Sequence, residues 1–177
     1  MKRKHFIIWT FLALLLSCKT QQTIVLTSET YDKTSDITTL IQIPYGNINI
    51  PGKWIKYSYN NSSRQTLFKN KDSITIAVTK IPKNKYSFYK VDQSEKDFVN
   101  EFYKWDSEYF INTGLTITKL ADNSEKGFII WKATSKGAST VLLFGTKNNL
   151  AYNLATMTHK WTDRECEAFL LDLYGKN

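Results

Sequence analysis

Imidazole and thiol side chains are the first places to look for chemistry, because they act as bases, nucleophiles and metal ligands near neutral pH. The chain of 177 residues contains two histidines and two cysteines. His159 follows a predicted strand, and Cys166 lies on the apolar side of a predicted C-terminal helix. A zinc site needs three or four ligands, and these two residues supply at most two. We therefore expect no metal site, a buried and inert Cys166, and a His159 at the surface.

The familiar catalytic motifs are missing from the sequence. There is no G-x-S-x-G, H-E-x-x-H, C-x-x-C, P-loop or G-x-G-x-x-G pattern. Glu95, Asp97, Asp163 and Glu165 stand at predicted helix starts, where helix capping explains them. Paired carboxylates for glycoside cleavage must lie in one cleft at a set distance from each other. The positions of carboxylates along the sequence do not reveal such a distance. We expect a protein that is not an enzyme, with no catalytic residue and no cofactor.

The N-terminus has the pattern of an export signal. Residues 2–5 are a basic cluster, and residues 6–16 are apolar except for Thr10. A basic head, a short apolar run and a small residue before the cut are typical of a secretory signal. The run is too short to span a bilayer, which takes about 20 apolar residues. We predict a cleaved signal peptide over residues 1–17.

The signal ends in Leu15-Leu16-Ser17-Cys18, which resembles the lipobox of bacterial lipoproteins. The resemblance implies cleavage between Ser17 and Cys18, a diacylglyceryl group on the Cys18 thiol and an acyl chain on the new amino group. Two or more chains anchor a protein stably, whereas a single chain does not. The protein is therefore expected in the bacterial cell envelope, anchored to a membrane by lipid. Lys19, rather than Asp, follows the cysteine, and this favours the outer membrane. The sequence does not indicate whether the domain faces the periplasm or the exterior of the cell.

Length and composition limit the number of domains, the kind of partner and the disulfide bonds expected in the rest of the chain. Residues 18–177 are enough for one domain with a core. The signal holds three of the 24 Lys and Arg residues and none of the 16 Asp and Glu residues, so the remainder carries a formal charge of +5. This charge is spread along the chain, which indicates a basic surface rather than a nucleic-acid site. With Cys18 committed to lipid, Cys166 has no intramolecular partner for a disulfide.

Residues 18–42 are rich in Thr, Ser and Gln and show no sustained period. We predict a flexible tether there, in which residues 24–26 can pair as a short strand. Residues 43–177 are predicted to form a single α+β domain. The predicted strands cover residues 47–50, 53–59, 65–69, 73–80, 115–120, 127–134, 139–146 and 150–157, the last four as an antiparallel meander.

Two helices complete the predicted domain. Ser94 can cap the first, whose aromatic residues recur at spacings of four, three and four up to Tyr109. Thr162 and Glu165 form a capping box at the start of the second, and Gly175 ends it.

Four short motifs follow one another along the domain: IPGKW at residues 50–54, Asn153-Leu154, Lys160-Trp161-Thr162 and Phe169-Leu170. Together they resemble PsbP-like domains over residues 43–174. The resemblance implies a central antiparallel β-sheet flanked by helices, an α/β/α sandwich. It also implies a non-enzymatic protein that binds other proteins, and it transfers no catalytic or ligand residue. Trp54 and Trp161 are expected to be packing residues.

The segment over residues 81–91 is the candidate contact with a partner. Cations beside amphipathic rings suit the recognition of a protein, an anion or a glycan. In the alternative, the rings cover the sheet while the lysines stay in water. The candidate residues are Lys83, Lys85, Tyr86, Phe88, Tyr89 and Lys90.

Three functions are compatible with these patterns. The leading hypothesis is a non-catalytic envelope lipoprotein that serves as a protein-binding or assembly accessory. An alternative is an enzyme, or a small-ligand or glycan carrier, acting in the envelope, which a deep pocket of convergent polar groups would favour. A further alternative is an immunity-type protein that neutralises a toxin, for which the gene neighbourhood would be informative.

Overall fold

The computed structural model of the chain describes residues 26–177, which form an antiparallel α+β fold. The α-helices are α1 (Glu95–Asn112) and α2 (Asp163–Gly175). The strands are β1 (Leu26–Asp32), β2 (Ile37–Ile43), β3 (Gly46–Pro51), β4 (Ile55–Asn60), β5 (Gln65–Lys69), β6 (Thr75–Pro82), β7 (Thr116–Asn123), β8 (Phe128–Ser135), β9 (Ala138–Lys147) and β10 (Leu150–Met157). Short 3₁₀ turns occupy Lys83–Lys85 and Ser124–Lys126.

The larger sheet has seven strands in the order β4-β5-β6-β10-β9-β8-β7. The consecutive pairings from β7 to β10 confirm the predicted meander, and β5 pairs with β6 as an antiparallel hairpin. β10 pairs with β9 on one side and β6 on the other. The last strand of the chain therefore lies at the centre of the sheet.

A second sheet, of order β1-β2-β3, corrects the predicted tether. Residues 26–42 were expected to be flexible, but β1 and β2 occupy most of them, so this prediction and the domain start at residue 43 are wrong. Thr and Ile are β-branched residues that suit strands, and in β2 alternate side chains point into the core: Thr38, Leu40 and Gln42 are buried. The predicted signal over residues 1–17, and residues 18–25 of the tether, lie outside the described residues.

Each face of the larger sheet is covered differently. α1 packs on one face, where the Phe102 ring stacks on Phe144 with centroids 4.0 Å apart. The three-stranded sheet and α2 share the other face, which Ile48, Ile50 and Leu170 help to fill. The predicted sandwich of a sheet flanked by helices is therefore correct in part, because a second sheet occupies much of one helical layer.

Both predicted helix starts are confirmed. The Ser94 hydroxyl accepts a hydrogen bond from the Asp97 amide over 3.0 Å. At α2 the Thr162 hydroxyl accepts from the Glu165 amide, and the Glu165 carboxylate accepts from the Thr162 amide over 2.7 Å. These bonds satisfy amides that a helix leaves unpaired at its first turn.

Candidate functional site

A groove of about 750 Å³ opens where the three-stranded sheet, the start of β4, the β5–β6 turn and α2 meet. We call it the aromatic groove. Its lining comes from separate segments of the chain: Tyr31, Asp36, Pro51, Gly52, Lys53, Trp54, Ile55, Asn70, Lys71, Asp72, Trp161 and Phe169.

Three rings form the apolar wall of the groove. Phe169 lies 5.5 Å from Trp54 and 5.2 Å from Trp161, measured between ring centroids. Trp54 is only 5% exposed, and its indole nitrogen donates to the Pro51 carbonyl over 2.7 Å. Its predicted packing role is confirmed. Trp161 and Phe169 are half-buried and leave ring surface open to solvent.

Polar groups at the margin of the groove are held by local bonds. The Tyr31 hydroxyl donates to Asp36 over 2.8 Å, and the Asn70 side-chain oxygen accepts from the Asp72 amide over 3.0 Å. Lys53 and Lys71 are exposed, and the Lys53 ammonium lies 5.5 Å from the Tyr31 ring centroid. The groove can hold an apolar or aromatic group on its wall and place charged groups of a ligand near the lysines.

A smaller cavity of about 200 Å³ lies on the other side of Trp161. Cys166 and the exposed His159 line it, together with Lys132, whose ammonium bonds both Asp163 oxygens at 2.8 and 2.9 Å. Burial raises the pKa of the Cys166 thiol, which therefore stays protonated at neutral pH. Within residues 26–177, no three His, Cys, Asp or Glu side chains lie together as metal ligands would.

Four of the six predicted partner-binding residues are buried under α1 or pack against the core there: Lys83, Tyr86, Phe88 and Tyr89. Lys83 is 5% exposed, with its ammonium 3.1 Å from a Glu95 carboxylate oxygen. Tyr86 lies 4.6 Å from Phe102 between ring centroids. Phe88 packs against the same helix. Burial raises the pKa of the Tyr86 hydroxyl.

The other two predicted contacts, Lys85 and Lys90, are exposed. The rings of this segment therefore cover the sheet, as the alternative supposed, but Lys83 does not stay in water. A role of the segment in partner binding stays a prediction.

A titratable carboxyl that the sequence did not single out lies on α1. Burial raises the pKa of Asp106 to about 7 from an ordinary value of 3.8. The Asp106 carboxylate also contributes to the raised pKa of Tyr86, which packs under the same helix. The aromatic groove is on the opposite side, and Asp106 is not part of it.

Sequence reasoning missed the aromatic groove as a site. The available signal was the position of Trp54 and Trp161 beside turns, but the motifs in which they occur predict packing roles for both. In the part of the chain that the structure describes, no helix has the length and apolar character needed to cross a membrane.

Comparisons with known proteins give one structural neighbour to report. No protein-family model matches the chain, and no curated protein was found to be similar to it. The chain is similar to the solution structure of cyanobacterial PsbP (CyanoP) from Synechocystis sp. PCC 6803, at 12% identity and a TM-score of 0.39 over 89% of this chain and 95% of that one. That protein is of the family which the four motifs resemble, at a similarity too low to show membership.

Proposed function

We propose that this protein is a lipid-anchored protein of the bacterial cell envelope, more specifically of the outer membrane, attached through Cys18. Its domain binds another protein as an assembly accessory and does not catalyse a reaction. The observation that carries the binding role is the open aromatic groove with Trp161 and Phe169 on its wall. Partly exposed aromatic rings in a preformed depression are typical of the residues that dominate binding energy at protein interfaces.

The chemistry around the groove supports binding over catalysis. A general acid or base needs a tuned pKa and must reach the reacting atoms. Asp106, whose pKa is near 7, lies on the other side of the sheet. Cys166 lies beyond Trp161, and its raised pKa disfavours the nucleophilic thiolate.

Replacement of Cys18 tests the anchor. In the Cys18→Ser variant we expect loss of radioactive palmitate label and release from the membrane fraction, because no thiol remains to carry the diacylglyceryl group. The Cys166→Ser variant is the matched control and keeps both properties. Palmitate label that persists in the Cys18→Ser variant would contradict the lipid anchor.

Site-specific cross-linking tests the groove. A photo-reactive amino acid at position 71, beside the groove, is expected to form a discrete adduct with one protein in intact membranes. The same amino acid at exposed position 136, in the turn between β8 and β9, serves as the control. The adduct should disappear when Trp161→Ala is added, because the ring wall is lost. Equal adducts at both positions would contradict a binding role for the groove.

A glycan carrier is the second candidate, because aromatic rings beside amide and carboxylate groups also suit sugar rings. Soluble cell-wall glycan fragments distinguish the two functions. A saturable change in tryptophan fluorescence that Trp161→Ala abolishes would favour the carrier. Under the protein-binding proposal, no such change is expected.

A further inference from the structure

β4 is an edge strand with unusual side chains. Within residues 26–177 it is hydrogen-bonded to β5 alone, so one row of its backbone groups faces outward. Edge strands are ordinarily protected by charge, bulges or covering segments, because they can pair with another chain. β4 has a bulge between Lys56 and Ser58, yet Ile55 is 62% exposed and Tyr57 is 54% exposed.

The opposite edge of the same sheet provides a comparison. β7 also carries a bulge, between Lys119 and Ala121. Its larger apolar residues, Ile117 and Leu120, are half-buried, and its exposed positions are mostly polar. The exposed apolar side chains are therefore a property of β4 and do not belong to both edges.

The β4 edge runs into the aromatic groove. Ile55 is the first residue of β4 and also lines the groove, and Trp54 on the groove wall precedes it directly. An extended chain that pairs along β4 reaches the groove at this end. One of its side chains can then enter the groove while its backbone bonds to the strand.

The charge of this region specifies the occupant. No Asp or Glu occurs from residue 37 to residue 71, a stretch that contains five cations: Lys53, Lys56, Arg64, Lys69 and Lys71. None of them is ion-paired with a carboxylate in the described residues. Two acids, Asp36 and Asp72, line the groove and flank this stretch. The edge is positive overall, which is complementary to an acidic partner.

We infer that the partner supplies an acidic, extended segment that adds to the β4 edge as a further strand and places an apolar side chain in the aromatic groove. This inference rests on the proposed protein-binding function and names the chemistry of the partner. Main-chain bonds give such a complex its affinity, while the groove and the lysines select the sequence.

The probe is a fluorescein-labelled peptide of nine residues in which Glu alternates with Val around a central Trp. It is titrated into the full chain in mild detergent. We expect saturable binding and slower amide hydrogen exchange in residues 55–60. A peptide with Lys in place of Glu should bind at least about tenfold more weakly. A peptide N-methylated at alternate amides should show a similar loss of affinity, because it cannot pair with β4.

Charge reversal on the protein provides a second measurement. Lys53→Glu combined with Lys71→Glu should weaken binding of the acidic peptide at least about tenfold. Lys126→Glu combined with Lys136→Glu makes the same change of charge at exposed positions elsewhere, and its affinity should stay within about twofold. All four lysines are exposed, so the fold is expected to survive in both variants.

Several results would overturn the inference. Equal binding of the N-methylated peptide excludes strand addition, and exchange protection at β7 instead of β4 places the contact elsewhere. Self-association that protects β4 makes a second copy of the chain the occupant. A groove-dependent cross-link in membranes without peptide binding would leave the proposed function standing and remove only the added strand.

Discussion

Lys83 is an ammonium group that is almost wholly buried, and its partner Glu95 explains why it is tolerated. The Glu95 carboxylate lies 3.1 Å from the Lys83 ammonium and also accepts a hydrogen bond from the Thr146 hydroxyl. The same ammonium lies 5.3 Å from the centroid of the Phe98 ring. A buried charge without such partners is strongly destabilising.

Removal of the Glu95 carboxylate should therefore weaken the fold. We expect Glu95→Ala to lower the free energy of unfolding by about 1–3 kcal/mol, less than for a fully buried pair because the Glu95 side chain is 46% exposed. Glu125→Ala breaks the exposed ion pair with Lys96 and should have a much smaller effect, because water screens that pair. Urea denaturation measures both values, and equal effects would contradict the structural role of Lys83.

The carboxyl of Asp106 predicts a pH dependence of stability. Its pKa rises to about 7 in the folded chain, whereas the unfolded carboxyl titrates near 3.8. Between these values the folded state binds more protons, so the free energy of unfolding falls as the pH rises through about 7. From pH 5 to pH 8 the free energy of unfolding should fall by about 1–3 kcal/mol. In the Asp106→Asn variant most of this fall should be absent.

Denaturation at the two pH values checks this prediction. Glu108→Gln changes an exposed carboxyl on the same helix and should leave the pH dependence as it is. An Asp106→Asn variant with the original pH dependence would show that another group is responsible.

At the scale of elements, the start of α2 depends on its capping box. Thr162→Ala removes the hydroxyl that accepts from the Glu165 amide and should cost about 1 kcal/mol. Thr162→Ser keeps a capping hydroxyl and should leave the stability nearly unchanged. Thermal unfolding followed by circular dichroism measures the difference, and identical midpoints for the two variants would argue against the cap.

Elements governed by neighbouring residues could be predicted from the sequence. The caps at Ser94 and Thr162 involve side chains three residues from their partners, so spacing alone identifies them. β2 was not predicted because its threonines are typical of a polar tether. Its formation depends on the burial of Leu40 in a core that only the tertiary fold creates. The aromatic groove was missed because Trp54, Asn70 and Trp161 meet only through the tertiary fold.

At the scale of the whole molecule, α2 joins the larger sheet at Gly145. A Cβ added there would lie 2.5 Å from a ring carbon of Tyr174. The Tyr174 hydroxyl donates to the Thr146 carbonyl over 2.8 Å, which holds this close approach in place. Burial raises the pKa of Tyr174 to about 12, in keeping with a ring enclosed between helix and sheet.

Gly145→Ala should therefore displace α2 and lower the free energy of unfolding by about 1–3 kcal/mol. Adding Tyr174→Leu, which removes the opposing ring, should make the alanine at position 145 nearly neutral relative to Tyr174→Leu alone. A double-mutant cycle in urea measures this coupling. Strictly additive effects would show that the two residues are not in contact.

The central position of β10 has a consequence for the order in which the protein can be completed. β10 is the strand that joins β4-β5-β6 to β9-β8-β7. These two halves of the sheet therefore stay separate until the chain is available as far as residue 157. The pairing of β10 with β6 joins residues far apart in the sequence, and such pairings form slowly because a long loop must close first. A polypeptide threaded lengthwise through a secretion pore must remain unfolded in transit. Because the sheet cannot close before residue 157 has emerged, this topology is compatible with the export that we propose for the protein.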